Sequence, residues 1–370
     1  MKFISSLKSK NLSKETVLLR VDLNVKNLND SLRLEAIIPT VKFLLGRDAK
    51  VVILSHRGRP QTLEGQKVNF DSSLTLSPSI PFLSKNISAP IKFIDNFDFE
   101  EIKKEIKDAP QRSVFMLENL RFLPGEDKND PGLAKSLASL GTIYINDAFA
   151  VSHRKNASVV AIAKYLPSYA GLLFEKEYKA LSLITKKPKR PLIFIIGGAK
   201  AADKIPVIKS FLKKADAFLL GGAVANTLLK AKGVDVKNSL YDEKLLDLAA
   251  NLIKNKKIIL PKDWETENFQ ILDISSATIA EFKKHIKKAK TIVWNGPLGL
   301  FETPRFRGGS KAIAEAIAES KAYSVVGGGE TTQFIKSLDL QNKISFLSTA
   351  GGAMLEFLAG QKLPGIEVLK

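Results

Sequence analysis

The sequence predicts an α/β protein made of two doubly wound, Rossmann-like parallel sheets, and three observations carry that expectation. Ten short, almost continuously apolar runs recur along the chain, stretches with helical spacing lie between many of them, and polar or glycine-rich segments follow them. Runs of four to seven residues that are apolar on both faces suit buried parallel strands. Their alternation with helices requires right-handed crossovers.

VLLRVDL (17–23) opens the series, and RLEAIIPTVKFLLGRDA (33–49) has helical spacing ahead of KVVILS (50–55). SVFMLE (113–118), the helical GLAKSLASLG (132–141) and TIYIN (142–146) complete the first half. The second half starts with PLIFII (191–196), then the helical DKIPVIKSFLKKAD (203–216) and AFLLGG (217–222). The helical KLLDLAANLIKN (244–255) precedes KIILP (257–261), TIVW (291–294), YSVV (323–326) and ISFL (344–347). Ten strands are many for one open sheet. LPSYAGLLFEKEYKALSLIT (166–185) reads as one long amphipathic helix, followed by the proline-bounded, charged KKPKRP (186–191). The expected division is therefore an N-terminal lobe over 1–165, an interdomain helix over 166–185 and a C-terminal lobe over 186–354. The serine- and proline-rich stretch 61–90 has weak periodicity and receives no assignment.

A chain of 370 residues fits two or three domains at roughly 150 residues each. The apolar fraction of 45% and charged fraction of 26% exclude a disordered or collagen-like chain. The absence of cysteine excludes disulfides, thiolate nucleophiles, iron–sulfur clusters and cysteine zinc sites. Three histidines (His56, His153 and His285) are too few for a histidine-rich metal centre. The net charge of +19 suits an anionic substrate or a polyanion, and equally a solvated lysine-rich surface. No apolar run approaches the ~18 residues of a membrane span, and the opening MKFISSLKSKNLSKE has too short an apolar stretch for a signal peptide. A cytoplasmic enzyme or binding protein is the expectation.

In doubly wound sheets ligands bind beyond the carboxyl ends of the strands. In the first half those ends carry Asp22, Asn24, His56, Arg59, Arg121, His153 and Arg154, with Arg33 nearby. Planar guanidinium forks match carboxylate and phosphate oxygens, so this set points to a small anion bearing both groups. In the second half the ends are glycine-rich: Gly197-Gly198, Gly221-Gly222, Gly327-Gly328-Gly329 and Gly351-Gly352. Glycine lets backbone N–H groups approach a phosphate, and each pair is expected to precede a helix start. Lys200 and Lys204 lie four apart and would share one face of an opening helical turn. Neither G-x-x-x-x-G-K-[ST] nor a strand-borne G-x-G-x-x-G occurs, which disfavours a P-loop ATPase and a standard dinucleotide-binding dehydrogenase. A nucleotide lobe beside an anion lobe suits phosphoryl transfer, which needs positioning and charge neutralisation rather than a protein nucleophile.

The ordered strings RVDLNV (20–25), SHRGRP (55–60), ENLRF (118–122), NDAF (146–149), HRKNAS (153–158), EKE (175–177), GGAKAADK (197–204), WNGPLGLFE (294–302), GGGE (327–330), STAGGA (348–353) and LPG (363–365) resemble phosphoglycerate kinase over nearly the whole chain. The resemblance implies a monomeric, cytoplasmic, two-lobed enzyme with a hinge and cleft. It would transfer the acyl phosphate of 1,3-bisphosphoglycerate to MgADP, giving 3-phosphoglycerate and MgATP, with Mg²⁺ as cofactor. Asp22, Asn24, Arg33, His56, Arg59, Arg121 and Arg154 would hold the phosphoglycerate, and Arg33 would also face the transferring group. On the nucleotide side the resemblance implies Gly197, Gly198, Gly221 and Pro297 near the base, Asn295 near the phosphates and Glu302 at the ribose. Lys200 and Lys204 would meet the phosphates, Gly351 and Gly352 the transferring phosphoryl, with Gly328, Gly329, Glu330 and Thr331 beside the nucleotide and Glu330 towards its metal. Arg33, Lys200, Gly351 and Gly352 are the expected catalytic set. The C-terminal segment 355–370 would return to the N-terminal lobe.

Departures from the family pattern are Glu330 where aspartate is usual, Ala350 and Ala223 where glycine is usual, Lys26 for a common proline and Arg57 for a common leucine. Arg57 is expected either to add positive potential beside the substrate or to lie solvated at the surface. Loss of Arg33, Lys200 or Glu302 would mark a non-catalytic relative, and all three are present. No motif for specific nucleic-acid binding occurs, so none is expected.

Overall fold

A computed structural model describes residues 1–25, 31–60 and 70–370. Lys26 and the first part of 61–90 therefore lie outside the described residues. The chain separates into two compact units, Met1–Lys179 with Lys362–Lys370, and Ala180–Gln361.

In the first unit β1 (Thr16–Arg20), β2 (Lys50–Leu54), β3 (Ile91–Ile94), β4 (Val114–Leu117), β5 (Ile143–Asn146) and β6 (Ser168–Ala170) form a parallel sheet in the order β3-β4-β2-β1-β5-β6. Helices α1 (Ser31–Leu45), α2 (Ile80–Ile87), α3 (Phe99–Asp108) and α4 (Pro131–Ala138) flank it. Strand residues alternate between faces. Val17, Leu19 and Ile53 pack with Ile37 and Val41 of α1 and Leu83 of α2. Leu18, Val52 and Leu54 pack with Ile102 and Ile106 of α3 and Leu137 of α4. Both faces are thus buried, which is why the runs are apolar without alternation.

Helix α5 (Leu172–Lys186) carries the chain into the second unit. There β7 (Leu192–Ile196), β8 (Ala217–Leu220), β9 (Ile258–Ile259), β12 (Thr291–Asn295), β13 (Tyr323–Gly327) and β14 (Phe346–Ser348) form a second parallel sheet, in the order β14-β13-β12-β7-β8-β9. Strands β10 (Trp264–Glu267) and β11 (Gln270–Ile274) make a separate antiparallel hairpin. The helices are α6 (Ile205–Phe211), α7 (Gly222–Ala231), α8 (Leu246–Leu252), α9 (Ser276–Lys288), α10 (Gly308–Glu319), α11 (Gly329–Ser337) and α12 (Gly352–Leu358). Ile193, Ile195 and Trp294 face α9 and α10, while Phe194 stacks with Phe218 and meets Phe211 of α6. The chain then returns to the first unit, where α13 (Pro364–Glu367) is tied by the Gly365 N–H donating to the Ser152 carbonyl at 2.8 Å.

All ten apolar runs contain strands of the two parallel sheets. Four further strands were not foreseen. β3 is an edge strand whose Lys92 is exposed, so its apolar pattern is incomplete. β6 falls inside the stretch read as helix from 166, and the helix begins only at Leu172. The hairpin β10–β11 is largely exposed and polar, leaving it without a buried-strand signature. The helix expected from 203 begins at Ile205, with Pro206 in its first turn, where a missing N–H costs nothing. Residues 70–90 form two short 3₁₀ turns and α2.

The start of α5 depends on a buried acid. Asp147 follows β5, and its Oδ1 accepts from the Phe174 N–H at 3.0 Å. A Cβ on Gly171 would overlap that carboxyl. Burial pushes Asp147 up to about 7, only partly offset by the Thr40 hydroxyl and the Phe174 and Leu173 amides. The unfolded chain ionises first as pH rises, so this group removes stability between about pH 4 and 7. Asp147→Asn keeps the acceptor and is expected to flatten that part of the stability–pH curve. Urea midpoints with the same slope in both proteins would assign the slope to other groups.

Candidate functional site

Two polar clusters lie at carboxyl ends of strands, one in each unit. In the first unit Arg20, the last residue of β1, is fully buried. Its Nε donates to Ser158 Oγ at 2.7 Å, its Nη1 donates to the Val21 carbonyl, and its Nη2 lies 3.2 Å from His56 Nδ1. Glu126 lies 3.8 Å away as its counter-charge. Arginine can only donate, so His56 Nδ1 accepts and the ring proton sits on Nε2. Burial and then the Arg20 guanidinium hold His56 well below the usual histidine range, leaving the ring neutral. Its Nε2–H is buried without a partner among the described residues.

Asp22 lies two residues beyond Arg20. Its Oδ2 meets Arg33 Nη1 at 2.9 Å, and the same Nη1 donates to the Asn24 carbonyl at 2.9 Å. Burial alone would raise the Asp22 carboxyl, but Arg33, the Asn24 N–H and Arg20 hold it below its ordinary range. Asn24 Oδ1 accepts from the Gly58 N–H at 2.9 Å, joining the β1 and β2 loops. Gly58 has φ of +60°, and a Cβ there would run into Leu74.

Asn119, in the loop after β4, is the hub of the next loop. Its Oδ1 accepts from the Arg57 and Arg121 N–H groups, and its Nδ2 donates to the Arg57 and Leu74 carbonyls. Glu118 beside it accepts from the Leu76 N–H at 2.9 Å and the Thr75 hydroxyl at 2.6 Å. Arg57 donates to the Val25 and Thr75 carbonyls at 3.2 and 3.0 Å. It is therefore a half-buried strut rather than a solvated surface arginine, and its carbonyl partners leave its positive charge in place beside the cluster. Arg121 donates to the Gly58 carbonyl at 2.5 Å and to Asp127 at 3.3 Å. Burial, then Arg121 and Arg59, push the Arg154 guanidinium down, and its Nη1 is buried without a partner among the described residues. Arg154 Nε donates to His153 Nε2 at 3.3 Å, so His153 accepts as a neutral ring. Burial and Arg154 hold His153 low. The cluster thus combines mutually repelling guanidiniums with unused buried donors, a surface arranged for an anion.

In the second unit the strand ends surround a recess of about 230 Å³ whose wall includes Gly198, Ala223, Leu240, Trp264, Pro297 and Leu298. Glu302 and Glu330 also border it. Its mostly apolar wall suits a flat heterocycle. The glycines separate into two kinds. At Gly197 a Cβ would overlap the Pro297 carbonyl, and at Gly221 it would overlap Leu298, so those glycines permit loop-to-loop contact rather than ligand approach. At Gly329, Gly351 and Gly352 a Cβ would meet nothing within 4 Å. Gly329 and Gly352 open α11 and α12, and Gly222 opens α7, whereas Gly198 stands seven residues before α6. The expectation of a helix after every pair fails there.

Lys200 and Lys204 lie in the turn before α6 rather than on its face. Lys204 is buried, and its Nζ donates to the Lys200 carbonyl at 3.3 Å. Burial holds Lys204 low, against the opposing pull of Asp203 and Glu330. Lys200 is exposed. Asn295 is buried and donates to the Gly327 carbonyl at 2.9 Å. Thr331, wholly buried, accepts from the Gly296 N–H at 2.8 Å and so holds the loop that carries Pro297. Gly328, at φ +100°, sits against the Asn295 amide. Ala223 and Ala350 are buried with their Cβ atoms accommodated.

Sequence reasoning missed Arg20, Glu118, Asn119, Asp127, Trp264 and Asp273. The first three lie within quoted strings but read as strand-end polarity rather than as supports. Asp273 accepts from the Gly309 and Ile274 N–H groups at 2.7 and 2.9 Å, and burial pushes it up to about 6.

The two kinds of glycine give opposite expectations. Gly197→Ala should destabilise the protein by more than ~1 kcal/mol through backbone overlap. Gly352→Ala should leave the urea midpoint within ~0.5 kcal/mol while raising KM for nucleotide or lowering kcat. Equal effects on stability would refute the distinction.

Residues 7–361 match the family described as phosphoglycerate kinase. Curated proteins of that name from Dictyoglomus turgidum and Pseudothermotoga lettingae are 41% and 42% identical, covering 100% and 98% of this chain and 99% and 97% of theirs. The solved phosphoglycerate kinase of Pyrococcus horikoshii superposes with a TM-score of 0.87 at 32% identity, over 100% of this chain and 98% of that one. The solved enzyme of Coxiella burnetii gives a TM-score of 0.83 at 36% identity, over 99% and 98%.

Proposed function

The chain belongs to the phosphoglycerate kinase family and is accordingly a glycolytic kinase, moving a phosphoryl group reversibly between 1,3-bisphosphoglycerate and ADP; on that footing we propose which residues do the work. The observation that carries the reading is the presence of unused buried donors, His56 Nε2 and Arg154 Nη1 among them, beside the guanidiniums of the first unit.

The N-terminal lobe (1–165), with 355–370 returning to it, binds 3-phosphoglycerate or its acyl phosphate, and the lobe over 186–354 binds the nucleotide. His56 and His153 act as neutral rings that orient substrate oxygens, since forming ATP requires no proton abstraction. Arg59, Arg121 and Arg154 neutralise the anion, with Asn24 and Asp22 shaping the loop. Arg33, anchored to Asp22, faces the transferring group. Gly198 and Pro297 border the base, with Gly197 and Gly221 packing the loops behind them, Glu302 borders the ribose, and Asn295, Lys200, Lys204, Gly328, Gly329 and Thr331 the phosphates. Transfer is direct and in line, without a phosphoenzyme, as the lobes close about a hinge and exclude water. Arg33, Lys200 and the open amides at Gly351-Gly352 offset charge on the moving oxygens.

Mg²⁺ enters with the nucleotide. An ion carried by a nucleotide is held mainly by phosphates and water, with one or two protein carboxylates. Glu330, exposed in the first turn of α11, is one such carboxylate. When bound, the ion neutralises phosphate charge. The enzyme works as a cytoplasmic monomer, in keeping with its glycolytic reaction.

The test is turnover of 3-phosphoglycerate with MgATP, trapping the product with glyceraldehyde-3-phosphate dehydrogenase and following NADH loss. A rate of about 1–10³ s⁻¹ is expected. Failure to turn over or to bind either ligand would sink the assignment. Arg33→Ala should cost on the order of 10³-fold in kcat by analogy with arginine fingers; a loss of only a few-fold would remove Arg33 from the reacting centre. Glu330→Asp should turn over more slowly than the parent if the pocket is adapted to the longer side chain, and a faster variant would show that it is not.

A further inference from the structure

Much of the positive charge belongs to neither cluster. The six strands of the second sheet are parallel, so their first residues share one edge, opposite the edge that borders the nucleotide recess. Within the five residues before each strand, Lys187, Lys189 and Arg190 lead into β7, and Lys213 and Lys214 into β8. Lys254, Lys256 and Lys257 lead into β9, and Lys287, Lys288 and Lys290 into β12. Lys321 and Lys343 lead into β13 and β14. These 13 cations face only two acids, Asp216 and Glu319. Every one except the half-buried Lys257 is exposed. Asp216 is already engaged by Arg190, the one member of the row with a carboxylate partner among the described residues.

Helix macrodipoles favour lysine at helix C-termini, which lie on this edge. The first sheet supplies a control, because its strands are parallel and mostly preceded by helices too. The same five-residue segments there hold 4 cations (Lys14, Arg47, Arg112 and Lys164) and two acids (Glu15 and Asp48). Dipole complementation acts on both sheets and cannot account for the difference between them.

We propose that this edge of the second unit docks double-stranded nucleic acid through its phosphate backbone, without regard to sequence. Six strands spaced about 4.8 Å apart make a row about 24 Å long. Duplex DNA carries one charge per ~1.7 Å, or about 14 charges over that length, close to the number of cations in the row. The exposed large apolar side chains, Phe70, Tyr165, Leu183, Leu240, Phe269 and Leu300, all lie outside the second sheet's segments. The row therefore offers no aromatic platform for splayed bases and no apolar anchor for a bilayer. It lies away from the nucleotide recess, so docking leaves catalysis free.

The full chain, saturated with MgADP and 3-phosphoglycerate, is titrated with a fluorescent random-sequence DNA duplex by anisotropy. Contact with about six phosphates predicts a salt slope near −5 and a loss of about 10³-fold in affinity between 50 and 200 mM salt. The combined variant Lys187→Glu, Lys213→Glu, Lys256→Glu, Lys288→Glu should bind at least about 10-fold more weakly with unchanged kcat, which also shows that it folds. A control variant at the first sheet, Lys14→Glu with Lys164→Glu, should bind like the parent. Undiminished binding by the row variant overturns the proposal. So does binding that appears only when 3-phosphoglycerate is left out, which would place the duplex on the guanidinium cluster. Tighter binding to phosphatidylserine vesicles than to duplex overturns it in favour of a membrane surface.

Discussion

Strands buried on both faces can offer chemistry only at their ends. Leu18 and Leu19 of β1, or Phe194 and Ile195 of β7, are adjacent residues committed to opposite cores. No side chain within such a strand is free to touch a ligand. Parallel pairing then gathers all the carboxyl ends of a sheet along one edge and all the amino ends along the other. Both candidate sites and the lysine row follow from that single constraint.

In the first unit the expensive element is the buried Arg20 charge. Removing a charge from water is tolerable only when it is bonded and paired, and Ser158, the Val21 carbonyl, His56 and Glu126 supply that environment. One consequence falls on His56. Its Nδ1 is occupied by a cationic donor, so the ring stays neutral and keeps its proton on the buried, unpartnered Nε2. A histidine at a strand end invites an acid–base reading, and here the neighbouring charge determines that it is a hydrogen-bond donor. Asn119 works by the same logic without charge, spending both amide atoms on four backbone groups and so setting where Arg121 starts.

The second unit depends on close approach. Gly197, Gly221 and Gly296 let three loops pass within contact of one another, and Thr331 and Asn295 bond those loops internally. The recess is the space left beside this packing. Residues near a nucleotide can thus owe their identity to the protein rather than to the ligand.

The strands, the two-sheet architecture and the ordered strings were legible in the chain alone, because both-face burial writes a continuous apolar run and strand ends carry a local polar signature. Edge strand β3, short β6 and the β10–β11 hairpin were not, since partial burial leaves a weaker pattern. Arg57 shows the limit at the level of a side chain. Its type announced charge, while its partners, the carbonyls of Val25 and Thr75, come from segments 32 and 18 residues away. The division of the glycines likewise required knowing which atoms stand where a Cβ would be. Residue type and spacing determine what an element can do, but contacts between distant segments decide which of those uses is taken, because only folding brings their atoms within reach.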